Sequence, residues 1–364
     1  MAYYLKERGN LSPQTDFDKE LEEFLKKQTA KIKVIGIGGA GNNSISRMKE
    51  VGIKGAEIIA VNTDAQDLLY TEADFKILIG KEISKGLGAG SNPRIGAEAA
   101  KEQAHEIKKS LEGSEMVFIT CGLGGGTGSG AAPVVADIAK KNGALTIGVV
   151  TLPFTVEGKK RLENAYEALE KLESIVDTLI IIPNDKLLEI APELPLSTAF
   201  KIADEILTNG VKGITELVTK TGLVNLDFAD VKAIMSGGGL SLISIGEDDG
   251  KNRAVDAVEK ALTNPLLDAD VSNGSGALIN VIGGEDLSLA EYKKVIEIVG
   301  EKLSPQAKII SGAQISKDLE GTLRVMLIVT GVKSTQIVGE KKAVEERKKE
   351  EMSNELGIEF LSEE

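Results

Sequence analysis

The sequence predicts an α/β fold: a parallel-sheet domain covered by helices, a long central connecting helix, and a smaller C-terminal α/β domain. Three observations predict it. Short β-rich runs alternate with longer helical segments from Lys31 to about Pro183, a long helical stripe follows Pro195, and a second alternation runs from beyond Gly222 to about Val332. The limits that follow are a helical N-terminal extension at 1–30, a first domain at 31–195, a connecting helix at 196–222, a second domain at 223–332 and a charged tail at 333–364.

The N-terminal extension carries Phe17, Leu21, Phe24, Leu25 and Gln28 at helical spacing, among acidic residues, which reads as core packing rather than membrane contact. Strands are expected at Lys31–Ile37, Glu57–Val61, Phe75–Ile79, Met116–Cys121, Leu145–Thr151 and Thr178–Ile182, each largely apolar as central parallel strands should be. The connecting helix carries Phe200, Ala203, Ile206, Leu207, Val211, Ile214, Leu217 and Val218 on one stripe and reads as buried. In the second domain, strands are expected near Leu240–Ile245, Ala277–Ile282, Ala307–Gly312 and Leu323–Thr330, with helices near Arg253–Leu262 and Ala290–Leu303. From Lys333 onward apolar residues thin out and charges cluster, which reads as a tail.

Composition narrows the function. The 364 residues are 42% hydrophobic, enough for a large core, and 43 Lys and Arg against 56 Asp and Glu give a net charge of −13. That balance argues against broad binding to nucleic acid or anionic lipid, so any phosphate site must be local. One cysteine, Cys121, excludes an internal disulfide framework, and one histidine, His105, leaves almost no material for a zinc site or a Ser-His-Asp triad. Cys121 ends an apolar run and reads as a small buried thiol, and His105 as part of a solvated helix face. No metal site built from side chains is expected. No apolar stretch approaches the ~20 residues of a membrane span, and the N-terminus lacks a signal-peptide core, so the expected location is the cytoplasm.

Two glycine clusters carry the chemistry. Gly36-Ile37-Gly38-Gly39-Ala40-Gly41-Asn42-Asn43 follows the first strand and opens a helix. Glycines let the backbone approach a phosphate, and the helix offers unpaired N–H groups and the positive end of its dipole. Taken alone, this cluster and Asp64 also fit a dinucleotide enzyme, or a tight turn with no ligand. Gly122-Leu123-Gly124-Gly125-Gly126-Thr127-Gly128-Ser129-Gly130 follows the fourth strand and precedes a helix expected at Ala131–Asn142. A turn needs one or two glycines, whereas a loop wrapping several phosphate oxygens would use them all, with the Thr127 and Ser129 hydroxyls as added donors. In open parallel sheets ligands sit beyond the carboxyl ends of the strands, so the two clusters mark one site for a nucleoside triphosphate. No G-x-x-x-x-G-K-[ST] occurs, and Asn184-Asp185-Lys186 lacks N-K-x-D spacing, which excludes a P-loop NTPase.

The second cluster is similar to the tubulin/FtsZ signature loop, and Asn225-Leu226-Asp227-Phe228-Ala229-Asp230-Val231-Lys232 looks like the FtsZ synergy loop. With Asn62-Thr63-Asp64-Ala65-Gln66, Gly86 to Pro93, Pro153 to Arg161 and Pro183 to Lys186 in family order, the resemblance covers roughly residues 31 to 332. It implies a GTP-binding domain at 31–195 and a polymerisation domain at 223–332. Gly39, Ala40, Gly41, Asn42 and Asn43 with Gly122, Gly124, Gly125, Gly126, Thr127 and Gly128 would hold phosphates, and Ala89 and Gly90 would lie near the γ-phosphate. Glu157 and Arg161 match ribose and sugar-phosphate contacts; without that match they read as an exposed ion pair. Asn43 and Asp204 match the residues that read guanine, since a carboxylate accepts from the ring N–H and exocyclic amine that adenine does not present there.

Asp227, Asp230 and Asn225 match the catalytic loop that completes the site of the next subunit, although two acids at a helix start also read as favourable charge there. GTP and GDP are the implied nucleotides, with Mg²⁺ bound alongside to neutralise phosphoryl charge. The implied partner is a second copy in a head-to-tail filament at the division site, with FtsZ-like scaffolding or cell-shape control as the alternative role. Leu356-Gly357-Ile358-Glu359-Phe360-Leu361 faintly resembles the C-terminal peptide that docks membrane-tethering adaptors, departing at Gly357 and Glu359.

Overall fold

The computed structural model describes residues 30–190, 195–219, 223–224, 227–263 and 271–332. The N-terminal extension, Asn225, the tail and the 356–361 segment lie outside the described residues.

One ten-stranded sheet runs through both halves, in the order β3-β2-β1-β4-β5-β6-β7-β10-β8-β9. Its first half is the expected parallel set: β1 (Ile32–Ile37), β2 (Ala56–Asn62), β3 (Phe75–Leu78), β4 (Met116–Gly122), β5 (Leu145–Leu152) and β6 (Thr178–Pro183). The second half holds β7 (Gly239–Asp248), β8 (Gly276–Gly283), β9 (Lys308–Ile315) and β10 (Leu323–Thr330). There β10 pairs antiparallel with both β7 and β8, and β8 pairs parallel with β9.

Residue alternation explains the layering, because successive side chains of a strand point to opposite faces. Ile35, Ile59 and Ile119 share a register row and pack with Ala99, Ala100, Val135, Ala136, Leu169 and Leu172. These come from α3 (Pro93–Glu102), α5 (Gly126–Lys141) and α6 (Lys159–Ile175), with α4 (Ala104–Ser110) beside them. Val34, Ile58 and Phe118 form the neighbouring row and face the other way, against α1 (Gly38–Glu50), α2 (Ala65–Tyr70) and the long α8 (Leu196–Thr219). Both faces of these strands are buried, which is why they read as continuous apolar runs rather than alternating ones.

Helix α8 joins the two halves into one body. Its Leu207, Val211, Ile214 and Leu217 lie in the same cluster as Val34 and Phe118 of the first half and Ile243, Leu278, Met326 and Ile328 of the second. A Cβ on Gly213 would collide with the Met326 sulfur, so the helix lies directly on the second half of the sheet. The far face of that half is covered by α10 (Arg253–Leu262) and α11 (Leu289–Lys302), around Val258, Val295, Val299 and Leu327.

Two elements differ from expectation. The helix after the second glycine cluster begins at Gly126 instead of Ala131, so half of the cluster is helix and not loop. Phe200, read as part of the buried stripe, is 40% exposed. It stands at the rim of the cleft described below, edge-on to Phe154 with ring centroids 5.3 Å apart.

Candidate functional site

Strand order creates the site. From β1 the chain winds to β2 and β3 on one side and to β4, β5 and β6 on the other, so the segments leaving β1 and β4 part in opposite directions and open a crevice between them. Ile37 is in register with Cys121, so the two glycine clusters emerge side by side. They touch: a Cβ on Gly122 would lie 2.7 Å from that of Ala40, and one on Gly38 would lie 3.0 Å from the Gly128 amide nitrogen.

This contact corrects the argument from glycine count. Gly126 and Gly128 are needed for close approach of backbone to backbone and Gly122 for contact with the Ala40 side chain, whatever the ligand; a Cβ on Gly126 would meet Asn92 N at 2.7 Å and Ala89 Cβ at 2.9 Å. Gly125 is different. Nothing lies within 4 Å of a Cβ there, so packing gives no reason for its small size.

Helices α1 and α5 start in this crevice. Their caps, Ile37 and Gly125, make no side-chain hydrogen bond to the first turn, and neither first turn holds an acidic residue. In a chain of net charge −13 this leaves two sets of unpaired amides, with two positive dipole ends, aimed at one place. Such an arrangement binds phosphate oxygens.

A cleft of about 440 Å³ lies at these helix starts. Gly39, Ala40 and Asn43 of α1 form one wall and Gly122 another; Glu157 and Arg161 close a third side, and Asp204 of α8 lines it with Ala203 and Phe200. Glu157 and Arg161 do form the ion pair, at 2.9 Å, and Glu157 also accepts from the Phe154 amide at 2.8 Å. Asp204 accepts from the Ser44 hydroxyl at 2.6 Å; burial pushes its carboxyl above the usual range, against the opposing pull of Ser44 and of Arg47.

The other expected phosphate residues lie around the cleft without lining it. Gly41 and Asn42 are buried in the first turn of α1, and the Asn42 amide group has no hydrogen-bond partner. Gly124 donates its amide to the Ser129 hydroxyl oxygen at 2.8 Å, and the Thr127 hydroxyl, expected as an added donor, shares a 2.6 Å hydrogen bond with Thr63. Ala89 is buried against Gly126 and Gly90 is exposed beside it. Burial also pushes the Cys121 thiol up to about 12, consistent with an inert core residue.

Phe200, Thr151 and Asn184 line the cleft and were not among the expected site residues. A signal existed for Phe200: it precedes Asp204 by four residues and therefore shares its helix face. Asn184 directly follows β6, at the strand end where ligands sit.

The acidic pair lies elsewhere. Asp227 caps α9 (Phe228–Met235), its carboxylate accepting from the Asp230 amide at 2.8 Å. Helix α8 has 24 residues and is therefore roughly 36 Å long. It runs from the cleft, at Phe200 and Asp204, to Thr219, which abuts Gly55 just before β2 begins. The Thr178 hydroxyl at the start of β6 donates to Met235 at the end of α9. The cleft is at the carboxyl ends of the strands and α9 at their amino ends, so Asp227 and Asp230 cannot reach the cleft of their own chain.

An α/β protein with paired helix starts at its sheet switch point and a half-buried carboxylate beside them belongs to the nucleotide-binding class. Residues 31–192 match the Tubulin/FtsZ family, GTPase domain, and residues 239–333 match the FtsZ family, C-terminal domain. The chain is 60% identical over 324 residues to Cell division protein FtsZ 1 of Methanocaldococcus jannaschii, covering 89% of this chain and 88% of that one. It is 59% identical over 327 residues to Cell division protein FtsZ 1 of Thermococcus kodakarensis, covering 90% and 87%. The solved structure described as an empty FtsZ dimer from M. jannaschii superposes with a TM-score of 0.83 at 59% identity, over 87% of this chain and 92% of that one. The chain belongs to the FtsZ family of tubulin-like GTPases.

Proposed function

We propose that this GTPase assembles head to tail into filaments for the cell-division ring, and that each active site is completed by the next subunit. The observation that carries the reading is the separation of the cleft from Asp227 and Asp230 along the length of α8. Carboxylates that cannot reach their own phosphate site are useful to hydrolysis only in another molecule's cleft. The relatives named as cell division proteins, and the one solved as a dimer, support the same reading.

In this reading the first-turn amides of α1 and α5 hold the phosphates, and Glu157 and Arg161 orient the sugar. Asp204 and Asn43 read the guanine edge. From the next subunit, Asp227 and Asp230 polarise the attacking water while Asn225 helps to position it. A Mg²⁺ ion bound with the nucleotide would supply charge neutralisation on the phosphates. Among the described residues no group of three or more His, Cys, Asp or Glu could hold a metal. Loss of the γ-phosphate removes what the partner's acidic loop faces, and the junction weakens.

The protein acts in the cytoplasm at the division site; among the described residues no helix is long and apolar enough to cross a membrane. The two domains, 31–195 and 223–332, serve as nucleotide carrier and activator, with 196–222 between them, and the 356–361 segment docks a membrane-tethering adaptor. Pelleting with GTP, GDP and a non-hydrolysable GTP analogue, with phosphate release measured over a concentration series, tests the central claim. Turnover per molecule should rise steeply near the assembly threshold. Turnover independent of concentration in clearly monomeric samples would rule out a shared site.

A further inference from the structure

We propose that Ser44 is a positioning residue for base recognition, fixing the Asp204 carboxylate so that it presents acceptors to the N–H groups of a guanine-type edge. The inference rests on the reading of Asp204 as the base reader and adds the group that holds it. Ser44 is 2% exposed and follows Asn43, which faces the cleft. Its hydroxyl oxygen lies 2.6 Å from Asp204 Oδ1 and 3.1 Å from the Ala40 carbonyl oxygen. A hydroxyl has one hydrogen, and the charged acceptor at the shorter distance takes it.

That bond ties α1, whose first amides face the phosphate site, to α8, which carries the base reader, across 160 residues of sequence. With Oδ1 pinned, the carboxylate cannot spin about its terminal bond. Oδ2 and the remaining lone pair of Oδ1 keep a fixed direction into the cleft. The donor also favours the ionised form: burial raises the carboxyl, while Ser44 and Arg47 pull it down. Other charged groups on the elements that meet there are Glu157 and Arg161, which line the same cleft, Lys201 and Glu205 on α8, and Asp185 and Lys186 on α7 (Asp185–Ile190), which packs against α8. Removing the Ser44 hydroxyl leaves Arg47 as the one named influence that still favours the carboxylate.

The test measures equilibrium binding of GTP, ITP (which lacks the exocyclic amine) and ATP between pH 5.5 and 8, for the wild type, Ser44→Ala, Ser44→Thr and Asp204→Ala. Ser44→Ala should bind GTP about 10-fold more weakly, the scale of one lost hydrogen bond to a charged group. Its preference for GTP over ITP should shrink, and the acid fall-off of GTP affinity should move to higher pH. Ser44→Thr, which keeps the hydroxyl, should restore the ratio and the pH profile. A uniform loss for all three nucleotides with an unmoved pH profile, or no loss at all, would overturn the role of Ser44. Asp204→Ala separates the two readings: loss of the GTP preference over ATP upholds Asp204 as base reader whatever Ser44 does, and retention of that preference overturns both.

Discussion

Helices α9 and α11 begin on side chains that satisfy their first amides, whereas α1 and α5 begin on none. At α9 the Asp227 carboxylate takes the Asp230 amide. At α11 Ser288 and Glu291 form a reciprocal capping box, and Arg253 clamps Glu291 from α10 at 2.6 Å. Capping of this kind contributes roughly 1 kcal/mol per helix, so leaving it out costs stability. Helices α4, α6 and α10 also lack a side-chain cap, but the first turns of α1 and α5 meet directly, a Cβ on Gly38 lying 3.0 Å from the Gly128 amide nitrogen. The comparison teaches that a missing cap becomes a binding signal when two of them converge.

The largest effect should come from the capped end. Asp230→Ala keeps the backbone amide that Asp227 accepts, so α9 should stay formed and GTP affinity in the cleft should change little. Hydrolysis should fall by at least ~100-fold, as for loss of a group acting on the reacting water. An equal fall in GTP binding would break the separation of the two ends. Mixing this variant with one crippled in its phosphate site should restore part of the turnover.

Gly125→Asp supplies that second subunit and tests the open end directly. Space exists for the side chain, unlike at Gly126, and aspartate is a favoured cap, so the melting temperature should hold or rise. The new carboxylate would occupy the first-turn amides of α5 and repel phosphate. GTP affinity should drop by about 100-fold, or about 2.7 kcal/mol. A stabilised variant that binds GTP normally would show that these amides do not serve the nucleotide.

A third prediction concerns the most fully satisfied start. The Arg253 guanidinium, helped by Ser288, holds the Glu291 carboxyl at about 2, below its ordinary 4.5. A carboxyl lowered on folding stabilises above its unfolded value and loses that contribution as pH falls toward the folded one. Glu291→Gln should therefore cost roughly 1–3 kcal/mol in denaturant unfolding at pH 7. The gap to the wild type should close as pH falls from about 4.5 toward 2. A gap that stayed constant over that window would mean the ion pair contributes nothing.

The smallest effect is at α3, where Asn92 accepts from the Arg94 amide at 3.0 Å. Asn92→Ala should lower stability by about 1 kcal/mol with GTP affinity unchanged, which thermal unfolding beside nucleotide titration would check. A large loss of affinity would mean that this cap also shapes the neighbouring Ala89 and Gly90 turn.

The sequence by itself determined the α/β class, the strands of the parallel half, the two glycine clusters at the ends of β1 and β4, and the family. Each is carried by local periodicity or by residues within about ten positions, and such signals survive without knowing the fold. Tertiary structure decided what the sequence left degenerate. It separated Gly125, with open space where a side chain would stand, from Gly122, Gly126 and Gly128, which pack closely against neighbouring residues. It moved Phe200 from the apolar stripe to the cleft rim and joined Ser44 to Asp204. It also set Asp227 and Asp230 at the far end of α8 from the cleft. The physical reason is common to all four: strand order and the length of α8 fix which distant residues meet, and neither quantity is written in any short window of the chain.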